Sequence, residues 1–424
     1  MKNNSIKYKN TNNDFVPQIP ENWELRKIKF ASSLQSGFAF KSSEYSEEGY
    51  PVFRIGDILD EININNCPKY PIAKSKGLVD FRVYNGDILI ALTGATIGKT
   101  ALIKNLENFG LLNQRVAKLE KPTKFLYYSF LSKPIQEQIK LISNGSAQEN
   151  ISNKTIENFY IPFPSADQQV AIANFLDKKC EQINQFIADK KQLINLLKEQ
   201  RQSVINSHVN ESENDDSNNW VTHKLKHISD IKFSNVDKLT HKGEVKVKLC
   251  NYVDVYKNDY ITNNIDFMLA TATLEEIEKF KVIKGDIIIT KDSESADDIG
   301  IPAFVSEDIE NLVCAYHLAM IRANQEIILD EFLFRKIESK EVNSQFEVNA
   351  TGVTRVGLSI ADISNVLISY PKDIKIQKEI ISKIKSETKT IDETIFKTEE
   401  ELRLVAEYKE ALISNAVTGQ LHIV

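Results

Sequence analysis

Cysteine is scarce: Cys67, Cys180, Cys250 and Cys314 are the only four in 424 residues. No CxxC pair or Cys/His ligand spacing joins them, which excludes a zinc ribbon and a disulfide framework and leaves reduced, packed thiols as the expectation. Long apolar runs are missing too. Nowhere do about 18 apolar residues follow one another uninterrupted, and Met1 leads through Lys2-Asn3-Asn4 into a polar segment without the apolar centre of a leader. The expectation is a soluble, cytoplasmic chain with no membrane partner. Neither sign of charge dominates: 53 lysines and arginines against 59 acids give −6, so a polybasic tail and wholesale disorder are both excluded. Two absent dipeptides have chemical consequences. Without Pro-Pro there is no Asn/Asp-Pro-Pro-aromatic loop to hold a target amine for methyl transfer. Without Pro-Asp, Asp230-Ile231-Lys232 lacks the first acid of a metal-dependent nuclease.

What the chain does contain is a repeat, and its 42% hydrophobic content is enough for two or three cores. Asn22-Trp23 recurs as Asn219-Trp220, Gly86-Asp87-Ile88-Leu89-Ile90 as Gly285-Asp286-Ile287-Ile288-Ile289, and Ile151-Ser152 to Pro164 as Leu358-Ser359 to Pro371. Beyond the prolines, Gln169/Gln377, Ile172/Ile380, Ile183/Ile391 and Val209/Val417 hold a constant offset of 208. The offset grows from 197 at the tryptophans, which places loop insertions in the second copy. Before Pro164 and Pro371, short apolar runs bounded by Gly, Asn and Asp read as strands of a mixed α/β domain. After them the period becomes a heptad. The first seam is Ala173/Leu176, Cys180/Ile183, Ile187/Lys190, Ile194/Leu197 and Arg201/Val204; the second is Ile381/Ile384, Thr388/Ile391, Ile395/Thr398, Leu402/Val405 and Lys409/Leu412. Two such seams predict two long helices packed as a coiled coil.

The expected divisions are a globular domain over 1–164, a helix over 165–209, a polar linker over 210–219, a second globular domain over 220–371 and a second helix over 372–424. Charge is uneven across them. Residues 1–164 carry 21 basic and 16 acidic side chains, whereas 220–371 carry 17 and 24.

The Ile19-Pro20-Glu21-Asn22-Trp23 opening, the Pro164-x-x-x-Gln168-Gln169-x-x-Ile172 turn into the first helix, the second variable domain with its own helix and the closing Ala416-Val417-Thr418-Gly419-Gln420-Leu421 together carry a family resemblance. From residue 15 to 424 the chain resembles the specificity subunit of type I restriction–modification systems. The resemblance implies α/β (α+β) target-recognition domains in tandem, joined by two long antiparallel coiled-coil helices with an internal pseudo-two-fold repeat. It implies that each domain reads one half of a bipartite double-stranded DNA site, and that the helices dock two methyltransferase subunits and, through them, the restriction/translocase subunits. It further implies no catalysis by this chain, and no cofactor or metal of its own: S-adenosylmethionine, ATP and Mg belong to the partners. The acidic second domain departs from the basic face that phosphate contact requires. Lys224, Lys226, Lys232, Lys238, Lys242, Lys246 and Lys248 are expected to gather on one face and so restore it.

Gly94-Ala95-Thr96-Ile97-Gly98-Lys99-Thr100 follows an apolar strand as a phosphate loop would, but three residues separate its glycines where a Walker A needs four. It reads instead as a turn whose Thr93, Thr96, Lys99 and Thr100 face DNA. Reading bases calls for side chains that donate and accept in forks. The candidates in the first domain are Ser36, Lys41, Thr93, Thr96, Lys99, Asn113, Gln114, Arg115, Asn144, Ser146 and Gln148; those in the second are Lys291, Ser293, Tyr316, His317, Thr351, Thr354 and Arg355. Asn113-Gln114 and Tyr316-His317, 203 residues apart, are expected to match. The competing reading of each is an ordinary polar turn. Phe175, Phe186, Ile205, Ile376 and Phe396 lie off the heptad seams and are the candidates for partner docking, or else for packing on their own domains. His223 and His227 are four apart, but no third ligand accompanies them, so they read as a solvated pair rather than a metal site. The competing function is a scaffold with two protein-binding heads.

Overall fold

The computed structural model describes residues 7–59, 62–143, 150–210 and 219–423. The chain divides into two compact units, Met1–Lys191 with Glu400–Val424, and Gln192–Glu399. Most of the expected linker, residues 211–218, lies outside the described residues.

The first unit holds two four-stranded sheets. One is antiparallel, in the order Leu34–Ser36, Val116–Leu119, Ile88–Ala91, Thr100–Leu102. Ile88–Ala91 is buried along its whole length, as a central strand of β-branched and aliphatic residues should be. The other sheet contains a parallel pair, Tyr50–Phe53 beside Gly110–Leu112. In the second unit the larger sheet runs Ser229–Phe233, Leu318–Ala323, Ile287–Thr290, Pro302–Val305, Tyr260–Ile261. Its smaller sheet also has a parallel pair, Val245–Cys250 beside Leu312–Cys314.

The repeated sequence motifs build repeated local structures. Gly86 and Gly285 both sit at φ +92°, where a side chain would be strained. The aspartate that follows each closes the turn: Asp87 accepts from the Tyr84 amide at 2.8 Å and Asp286 from the Ile283 amide at 2.9 Å. A two-stranded ribbon then leads into each long helix, Glu24–Lys27 with Tyr160–Phe163 in one unit and Trp220–Lys224 with Leu367–Pro371 in the other. At both helix starts a glutamine side chain donates to the preceding proline carbonyl, Gln169 to Pro164 at 3.0 Å and Gln377 to Pro371 at 2.8 Å.

The long helices are Ala166–Val209 and Ile374–Val417. Within each unit their segments run antiparallel, because rising numbers on one meet falling numbers on the other. In the first unit Lys409 donates to Asn184 and Lys190 pairs with Glu401; in the second Arg201 meets Asp392 and His208 meets Glu387. Ile172, Leu176 and Cys180 pack with Leu412, Ile413, Ala416 and Val417 around Trp23, Phe125 and Tyr128. The second seam is buried at Ile381, Ile384, Thr388, Ile391, Thr398 and Leu412. The first needs a correction at its end: Ile205 and Val209 are buried against Ile384, while Val204 is only half-buried. A straight helix drifts about 20° per heptad against a 3.5-residue repeat, and after four heptads the buried stripe has moved on by one position. Among the described residues no helix is long and apolar enough to cross a membrane.

Candidate nucleic-acid interface

Sheet register shows which candidate loops come together. In the first unit's antiparallel sheet, Ala117 opposes Ser36 and Val116 opposes Ala91, while Ile90 opposes Thr100. The C-terminal ends of two strands and the N-terminal ends of the other two therefore share one end of the sheet. Ser36, the 93–99 loop with Thr93, Thr96 and Lys99, and Asn113-Gln114-Arg115 are all delivered there. Asn153 braces this end by donating to the Leu34 carbonyl at 3.0 Å and to the Ser36 hydroxyl at 2.9 Å. The Asn113 side chain accepts from the Arg115 amide, which shapes the turn, and Gln114, Arg115 and Lys99 are exposed. Lys41 is exposed five residues beyond Ser36. Thr96 Oγ1 is buried with no hydrogen-bond partner among the described residues, and Thr100 is corrected: it is buried in its strand with its hydroxyl donating to the Gly98 carbonyl at 3.1 Å. Asn144, Ser146 and Gln148 lie outside the described residues, although Asn150 bridges to Thr93 where that segment returns.

The second unit gathers its candidates in the same way. Thr290 opposes Leu318 and Phe233 opposes Ala319, so Lys291 and Tyr316-His317 lie at one sheet end. Asp292-Ser293 pairs with Val356-Gly357, bringing in the 351–357 turn in which Thr351, Thr354 and Arg355 are exposed. Ser293 itself is buried. His317 holds φ +65°, rare for a residue with a Cβ. Its Nδ1 lies 2.6 Å from Asp292 Oδ2, and the Lys291 ammonium donates to the same oxygen at 3.1 Å. Burial pushes the Asp292 carboxyl up, but the bonds from His317 and Lys291 outweigh it and hold the group below its ordinary range.

The backbones of the two sheet ends are held by the same three hydrogen bonds. Gln114 N–H donates to the Phe38 carbonyl, Leu92 N–H to the Arg115 carbonyl and Ile151 N–H to the Leu92 carbonyl. Correspondingly, Tyr316 N–H donates to Val236, Lys291 N–H to His317 and Leu358 N–H to Lys291. Gln114 therefore matches Tyr316 and Arg115 matches His317, an offset of 202. The expected pairing of Asn113 with Tyr316 is one residue out of register.

Sequence reasoning missed the aromatics beside these loops. Tyr252 and Tyr256 stack at 5.5 Å on a short helix after Val245–Cys250, and the Tyr256 hydroxyl donates to Asp298 at 2.8 Å. Phe38 is 36% exposed and packs edge-on with Phe40 at 5.1 Å. Two tyrosines four apart after a strand were the available signal for the first group. The lysine run has mixed surroundings. Lys226 is held by Asn365 and Lys232 by Asp230, while Lys238, Lys242 and Lys246 remain exposed beyond Phe233. His223 lies in a strand with Nδ1 3.0 Å from the Tyr370 hydroxyl, and no group of metal-binding side chains exists among the described residues.

Of the docking candidates, Ile205 is corrected: it is buried between the helices and offers nothing to a partner. Phe175 packs partly against the core around Trp23. Phe186 lies under the Lys190 ammonium at 5.1 Å, Ile376 is half-buried and Phe396 is 66% exposed.

The pattern of the type I restriction modification DNA specificity domain matches residues 20–196 and again 217–403. The chain is 24% identical over 434 aligned positions to the type I restriction enzyme EcoBI specificity subunit of Escherichia coli, covering 95% of this chain and 87% of that protein. To the MjaVIII specificity subunit of Methanocaldococcus jannaschii it is 31% identical over 202 positions, 43% of this chain and 47% of that protein. A solved chain from the assembly of a type I R-M system superposes with a TM-score of 0.63 at 14% identity, over 95% of this chain and 99% of that one. With two specificity domains covering most of its length, the chain belongs to the type I restriction–modification DNA specificity family.

Proposed function

We propose that the sheet end carrying Arg115 in the first unit and the one carrying His317 in the second each read one half of a bipartite duplex site. Family membership makes the chain the DNA-specificity subunit of a type I restriction–modification system, a recognition component without catalysis of its own. One observation carries the assignment of the reading surface: two sheet ends with the same backbone hydrogen bonds present different polar side chains. A conserved scaffold with interchangeable side chains is what two readers of two different half-sites require, since base edges are told apart by donors and acceptors.

On this reading the chain works in the cytoplasm and docks two methyltransferase subunits, on helix faces that include Phe396. The restriction/translocase subunits attach through them. S-adenosylmethionine, ATP and Mg act in those partners. The test is a chimera in which residues 220–371 are replaced by the equivalent segment of a relative and the complex is assembled with its methyltransferase. Methylation mapping should show one half-site changed and the other retained; changes in both halves would refute the assignment.

A further inference from the structure

Arg115 and His317 occupy matching positions in one backbone hydrogen-bond pattern, although only His317 takes a positive φ. Each directly precedes the strand that runs beside the buried central strand, and each gives its carbonyl to the residue that follows that central strand. Arg115 is exposed, and among the described residues no acceptor holds its guanidinium. The imidazole of His317 is fixed: its ring centroid lies 3.9 Å from that of Tyr316, and Nδ1 is bonded to Asp292. A carboxylate can only accept, so the proton of that bond sits on Nδ1, and the acceptor the ring can offer to a ligand is the Nε2 lone pair of its Nδ1–H tautomer. Positive φ at His317 fits a backbone held for function rather than for ease of folding.

We propose that this position is a specificity determinant of both domains, with Arg115 selecting a guanine in one half-site and His317 selecting an amino-bearing base, adenine or cytosine, in the other. The proposal rests on the DNA-reading function above and deepens it to single base pairs. A guanidinium fork matches guanine O6 and N7, while an acceptor nitrogen matches adenine N6 or cytosine N4 in the major groove. Asp292 is then a positioning residue, fixing the tautomer that makes Nε2 an acceptor.

The experiment assembles the full chain with its methyltransferase partners and reads the sites selected from a randomised duplex library. Wild-type chain is compared with Arg115→Ala, His317→Arg and Asp292→Asn. Arg115→Ala should abolish preference at one guanine, a loss of about 10- to 100-fold discrimination, with the other half-site unmoved. His317→Arg should turn one base pair of the other half-site towards guanine, and Asp292→Asn should relax that same base pair. Each half-site untouched by a substitution reports that the complex is folded. A guanine preference that survives Arg115→Ala would overturn the proposal. So would uniform weakening across all sequences with a salt slope smaller by about one, the behaviour of a phosphate contact. A wild-type complex that selects no sequence would overturn the DNA-reading function itself.

Discussion

Replacing Arg201 with alanine should destabilise the Gln192–Glu399 unit and leave the other unit's transition in place. The Arg201 side chain is 9% exposed and meets three acids on three elements: Glu338 at 2.7 Å, Asp392 at 2.7 Å and Asp259 at 3.0 Å. Burial opposes its charge, but the field of Glu338, Asp259 and Asp392 wins and raises its pKa above the ordinary arginine value. Removing one partner of a buried ion pair costs about 3–5 kcal/mol because a charge is left uncompensated. Here the lower figure applies. Glu338 keeps a second partner, Arg335 at 2.8 Å, and Asp259 and Asp392 are half-exposed and return to water. About 3 kcal/mol in a unit of this size corresponds to a fall in Tm of about 6–12 °C. The two tryptophans give a clean assay. Trp23 lies in the core of one unit and Trp220 packs on Phe332 in the other, so a Trp23→Phe background makes Trp220 the reporter of interest. A Trp220 transition displaced by less than about 2 °C would refute the reasoning, as would an equal shift reported by Trp23 in the Trp220→Phe background.

Gln377 is fully buried, accepts from the Leu329 amide and donates to the Ile327 and Pro371 carbonyls, so Gln377→Leu should cost about 3 kcal/mol in urea unfolding. Its repeat partner Gln169 is half-buried with one such bond, and Gln169→Leu should cost about 1 kcal/mol. The folded pKa of Asp292 lies below its ordinary 3.8, so its pairing contributes stability that is fully present above that value and is lost as pH falls through the lower folded value; Asp292→Asn should flatten the acid limb of the Trp220 transition below about pH 4. Phe396→Asp should leave folding unchanged while weakening methyltransferase capture in a pull-down, whereas Ile205→Asp, which places a charge in the buried helix seam, should unfold the second unit before any partner is tested.

Much of the scaffold was legible because its physical demands fall on few residue types. A turn at φ +92° wants glycine, and an aspartate directly after it to accept an amide, so Gly-Asp recurs in both copies. The glutamines at the helix starts recur because the carbonyl of the preceding proline needs a donor. The heptads located both helices, but a strict 3.5-residue period misplaced the last buried turn, where Ile205 and Val209 replace Val204. The gathering of loops at one sheet end was not legible. It depends on strand order, and the Val116–Leu119 strand lies between two strands that precede it by dozens of residues. Tyr252 and Tyr256 were missed for a related reason, since the parallel partner of their preceding strand begins only at Leu312.

The repeat is strongest where the backbone dictates the residue and fades where side chains face outward. The Gly-Asp turns sit at offset 199 and the Ile151/Leu358 pair at 207, with Arg115/His317 between them at 202. Nothing in the residues fixes that last value, because an arginine and a histidine share no packing requirement; only the carbonyls they present to Leu92 and Lys291 reveal the match. Divergence at matched positions therefore has a different meaning from divergence in a loop. A reader of two unlike half-sites must hold its backbone constant and vary the exposed group, since a bidentate fork and a single acceptor discriminate different base edges on the same support. Where the backbone bonds repeat and the side chains do not, the sequence difference itself marks the positions to mutate first.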